Sequence, residues 1–63
     1  MKLWEYSGKN IQILADDGRI YSGIADLYTS ALDNPDGLES ISVRNNGQLI
    51  EFTKSEIMKI TLA

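Results

Sequence analysis

Two side chains that do much of protein chemistry are missing from this chain: its 63 residues include no histidine and no cysteine. Without imidazole, a Ser or Thr hydroxyl lacks its usual activating base, and without a thiol there is no self-sufficient nucleophile. Disulfides and imidazole or thiolate metal sites are excluded on the same ground. Carboxylates, lysines and amides remain. Asp33, Asp36 and Glu39 cluster in one stretch and offer oxygens of the kind Ca²⁺ takes. The Asp-x-Asp-x-Asp-Gly order fails, however, because Leu32 stands in the first ligand position. These acids read instead as turn-setting residues of a solvated loop. Asp16 and Asp17 are adjacent, so their carboxylates diverge, and nothing brings a second carboxyl toward either for acid–base work. Lys54 and Ser55 have the residue types of a Ser–Lys pair, but neighbours on a turn rarely face each other. No glycine-rich phosphate loop occurs. The expectation is a protein without catalysis, metal or cofactor.

Binding has more to draw on. Lys54 and Lys59 fall near the last turn, Arg19 at a hairpin tip, and Lys9 and Arg44 elsewhere, with the rings of Trp4, Tyr21, Tyr28 and Phe52 interspersed. Exposed rings of this sort stack on bases for roughly 1 to 3 kcal/mol each. Six basic against nine acidic residues give a net charge of -3. That balance repels phosphate at long range and opposes non-specific binding to nucleic acid or an anionic membrane. No apolar run approaches the roughly 20 residues that span a bilayer, and the start of the chain lacks a signal peptide's apolar stretch. A soluble, cytoplasmic protein with no membrane partner is expected.

The elements that must position these groups are short strands. Ile11-Gln12-Ile13-Leu14 and Ile20-Tyr21-Ser22-Gly23-Ile24 flank Asp16-Asp17-Gly18-Arg19, a hairpin in which Gly18 supplies a positive φ. Ile11, Ile13 and Ala15 share one face of the first strand. In the second, Tyr21, Ala25 and Leu27 oppose Ile20, Ile24 and Tyr28, so both faces carry apolar groups. Gly23 reads as a corner where one strand bends between two orthogonal sheets. Leu3, Trp4 and Tyr6 precede the hairpin in a helical turn or short strand, with Trp4 expected as a lid over one end of the core. The turn formers Asp33-Asn34-Pro35-Asp36-Gly37 mark a long loop. A third strand follows at 40–44, with Ile41 and Val43 inward and the serines outward, then a tight turn at Asn45-Asn46-Gly47 and a fourth strand at 48–52. Thr53 and Glu56 are spaced as a capping box. A last strand at 57–62 places Met58, Ile60 and Leu62 on one face. The sum is a single all-β domain, 1–63: a small five-stranded, bent-sheet SH3-type barrel with a short helical turn before the last strand.

A domain of this size buries only roughly 60% of its unfolded surface and is marginal alone. Oligomerisation is the one support left open. Leu49, Ile50 and Phe52 on the fourth strand and Met58, Ile60 and Leu62 on the fifth make short, apolar, proline-free strands that are poor solvent-exposed edges. Pairing them between subunits would remove that liability, so a homo-oligomer is expected.

Ile11, Ile13, Asp17, Gly18, Arg19, Tyr21, Gly23 and Ile24 resemble the first motif of the Sm and Sm-like family, a strand running into Asp-Gly, a hydrophobic residue and Gly. The segment IEFTKSEIMKI is similar to the second motif, in the form seen in bacterial RNA chaperones. The resemblance implies a Sm-like ring in which the fourth strand of one protomer pairs with the fifth of the next. It also implies single-stranded RNA held around the pore. The family's loop Asp-Asn matches Asn34 with a shift in spacing, and its triplet before the last strand falls at Thr53-Lys54-Ser55. The expected RNA contacts are therefore Asn34, Lys54, Ser55 and Lys59. The triplet's aromatic and imidazole members have no counterpart here. With the acidic net charge, that suggests an alternative, a protein–protein interaction module of the same fold.

Overall fold

The computed structural model describes residues 2–63. Its five strands are β1 (Asn10–Ala15), β2 (Ile20–Thr29), β3 (Ser40–Asn45), β4 (Gln48–Thr53) and β5 (Ile57–Leu62). All neighbours are antiparallel, in one sheet of order β4-β3-β2-β1-β5. Short 3-10 turns occur at Leu3–Tyr6, Ala31–Asp33 and Lys54–Glu56. Among the described residues no helix is long and apolar enough to cross a membrane.

The bend comes from β2. Its first half, Ile20 to Ile24, pairs with β1, and its second half, Ile24 to Thr29, pairs with β3. At the changeover sits Gly23, where a Cβ would lie 2.0 Å from the carbonyl oxygen of Arg44 and 3.1 Å from Val43 Cγ1. Hydrogen is the only substituent that fits so close a backbone approach. The two halves fold over a shared core of Leu3, Ile11, Ile13, Ala25, Ile41 and Val43, all fully buried. Tyr21 and Phe52 meet across it with ring centroids 5.1 Å apart, tying the β1–β2 half to β4. The expected bent-sheet all-β fold is the one observed.

Four details depart from the sequence-based expectation, and each has a local cause. A bulge between Ala25 and Leu27 inserts Asp26 into β2. Leu27 is thereby turned out to solvent and Tyr28 turned against the core, reversing the expected grouping of Leu27 with Tyr21 and Ala25. A second bulge leaves Met58 between Ile57, opposite Ala15, and Lys59, opposite Leu14. Ile57 and Ile60 are therefore both buried, and Met58 is 65% exposed rather than aligned with Ile60. The serines of β3 were expected outward in water, yet Ser40 and Ser42 are buried. Ser42 lies in register between the longer Leu27 and Glu51. Finally, Leu3 rather than Trp4 plugs the end of the core, and Trp4 stands 53% exposed. A turn this short can aim only one of two adjacent apolar side chains inward.

The turns follow their chemistry. Asn46 and Gly47 take φ of 50° and 78°, both positive, as a two-residue hairpin of the primed class requires. Gly18, at φ 85°, has open space around its Cα. These two glycine environments give a paired test by urea denaturation. Gly23→Ala is expected to cost about 3 kcal/mol or more, from overpacking plus backbone strain. Gly18→Ala is expected to cost only about 1 kcal/mol, from the positive φ alone. Equal costs would show that β3 does not lie against Gly23 as described.

Candidate binding face

The long loop and the turn between β4 and β5 meet at one end of the barrel, and Glu39 joins them. Its backbone carbonyl accepts the Lys54 N–H at 2.8 Å. Its carboxylate accepts the Tyr28 hydroxyl at 2.7 Å and lies 3.4 Å from Lys54 Nζ. Beside it, the Asn34 side-chain amide donates to the Leu38 carbonyl at 2.6 Å and to the Ser40 hydroxyl at 3.0 Å. Ser40 in turn donates to Glu51 at 2.9 Å. This chain of bonds satisfies the buried Ser40 hydroxyl, which would be costly if left unpaired.

The loop holds itself in shape. Ser30 donates to Asp33 at 3.1 Å, and Asp36 accepts the Leu38 N–H at 3.0 Å, so both acids set turns in the manner expected of Asp in loops. On the facing turn, Glu56 reaches back to accept the Thr53 N–H at 2.9 Å and the Thr53 hydroxyl at 3.0 Å. Ser55 lies 3.1 Å from Thr53, hydroxyl to hydroxyl. Lys54 thus faces Glu39 and Ser55 faces Thr53, not each other.

Of the residues expected to contact RNA, Asn34, Lys54 and Ser55 come to this one end. Lys59 does not: it lies on the outward wall of β5, opposite Leu14. There, with Gln12, Leu14, Ile20 and Thr61, it lines a shallow groove of about 170 Å³. The six edge residues also divide. Phe52 and Ile60 belong to the core, Ile50 packs partly against it, and Leu49, Met58 and Leu62 are exposed.

Sequence reading gave no role to Glu39 beyond a solvated acid, and it named Tyr28 only among the rings able to stack on bases. No local pattern marks their bond, because it joins β2 to the residue before β3 across the loop. The exposed Leu32 at the loop's 3-10 turn, 97% accessible, is equally unmarked.

The electrostatics of this end centre on Glu39. The hydrogen bond from Tyr28 is the largest influence on its carboxyl, followed by partial desolvation acting in the opposite sense and then by Lys54; the net effect is to hold it below its ordinary 4.5. The same bond raises the Tyr28 phenol above its ordinary 10.0. A carboxyl with a lowered folded pKa contributes stability that is present above the unfolded value and lost as pH falls through the folded one. Carboxyl titration by NMR is therefore expected to place the Glu39 midpoint below 4.5. Tyr28→Phe and Lys54→Ala are each expected to raise that midpoint. An unchanged midpoint in Tyr28→Phe would contradict the bond's role.

Comparison of the chain with protein-family models, with curated proteins and with solved structures finds no match in any of the three.

Proposed function

We propose that the protein is a non-catalytic binding scaffold that assembles copies of itself into a Sm-like ring and presents its loop-and-turn end as a shared binding face. The observation that carries this reading is the sheet order. β4 and β5 are the two margins, each six residues long, and Leu49, Met58 and Leu62 are exposed along them. Open margins of this kind are templates for another strand. Because the two margins differ, joining them is a heterologous contact, and such contacts close into rings when the rotation per copy allows.

The proposed occupant of the shared face is single-stranded RNA, held weakly around Asn34, Lys54 and Ser55. One lysine per copy, repeated around an opening, multiplies a contact that a single chain's net charge conceals. A protein-interaction module of the same fold is the second reading, and specific geometry favours it. Lys54 is already paired with Glu39 at 3.4 Å, and the Asn34 amide is engaged within its own loop.

Titration of labelled oligo(U) and oligo(A) at low salt separates the two. The RNA reading expects binding in roughly the micromolar range that phosphate contacts alone support, weakened in Lys54→Ala and lost on raising the salt. No binding of either oligonucleotide would leave the protein-interaction module.

A further inference from the structure

The two margins of the sheet differ in charge as well as in sequence. On β4 the outward-facing residues are Leu49 and Glu51, opposite Arg44 and Ser42 of β3. On β5 they are Lys59 and Thr61, opposite Leu14 and Gln12 of β1. Glu51 is the one charged residue of β4, and Lys59 the one charged residue of β5. Both are exposed. Among the described residues neither has an ion-pair partner, and one Glu51 carboxylate oxygen accepts the Ser40 hydroxyl at 2.9 Å while the residue stays exposed.

We propose that Lys59 of one copy pairs with Glu51 of the next, and that Leu49 of that next copy covers the groove formed by Leu14, Ile20 and Lys59. This rests on the edge-pairing of the ring reading and adds the contact that selects it. A barrel wall has one inner and one outer face, so a sheet continued from β5 into a neighbour's β4 keeps outward side chains on one side. Glu51 and Leu49 then arrive on the face that carries Lys59 and the groove. Opposite charges on directly or diagonally opposed strand positions attract, and like charges there repel. Pairing β4 with β4 about a two-fold axis near its centre would bring Glu51 close to Glu51, and the same pairing of β5 would bring Lys59 close to Lys59. The charges therefore disfavour both two-fold dimers and favour the head-to-tail contact that forms rings. Met58, raised by its bulge beside Lys59, adds apolar area to the same margin. The competing account is that Lys59 and Glu51 are edge charges that merely keep copies apart.

Sedimentation equilibrium separates these accounts, using the wild type, Glu51→Lys, Lys59→Glu and the double exchange Glu51→Lys/Lys59→Glu, with circular dichroism as the check on folding. The wild type is expected to be oligomeric. Each single variant should need about tenfold more protein to assemble, since one attraction becomes a repulsion, and the double exchange should return close to wild type. Raising salt from 0.05 to about 1 M should weaken the wild type as screening grows, a result that depends on no variant. A monomeric wild type would overturn the ring reading itself. An oligomeric wild type whose single variants and salt series assemble unchanged would overturn only the Glu51–Lys59 contact, as would a double exchange that fails to recover.

Discussion

The backbones of β2 and β3 approach so closely at Gly23 that no side chain fits between them, and that contact sets the path of the sheet. Because β2 changes partner there, β1 and β5 lie in one half and β3 and β4 in the other. The core fills the angle between the halves, closed by the Tyr21–Phe52 contact and plugged by Leu3. The same bend leaves β4 and β5 as margins at the two ends of the strand order. Fold and surface thus follow from one steric constraint.

Much of this was legible in the residues. Asp17-Gly18 and Asn46-Gly47 specify turns because few residues tolerate a positive φ, and both turns are present. Gly23 inside an apolar run marked the bend, and Thr53 with Glu56 marked the turn before β5. The bulges at Asp26 and Met58 were not legible. A bulge is set by how two strands match across a bent sheet, and neither strand carries that information alone. Each shifts the face of every residue beyond it, which is why Leu27 and Tyr28 exchanged places. Ser40 and Ser42 misled for another reason: their burial depends on neighbours from β2, β4 and the loop. Among the adjacent residues Leu3 and Trp4, size favoured the wrong one.

The candidate site was legible in part. Sequence reading brought together Asn34, Lys54 and Ser55, and the fold places them at one end. What it missed is that the one lysine of this end is already paired, among several carboxylates. Glu39 takes a hydroxyl from Tyr28 and sits beside Lys54, so the lysine's charge is met before any ligand arrives. A polyanion would have to compete with Glu39 for it. On the margins, Lys59 and Glu51 face outward on opposite edges without an ion-pair partner among the described residues.

The central claim is that β4 and β5 complete their hydrogen bonding with neighbouring copies. Amide hydrogen exchange followed across protein concentration tests it most directly. Amides of β1 and β2, bonded within one molecule, should exchange slowly at every concentration. The amides of β4 and β5 that point away from β3 and β1 should exchange rapidly in dilute solution and become protected as concentration rises. Rapid exchange at those amides, unchanged up to the highest concentration, would contradict the account.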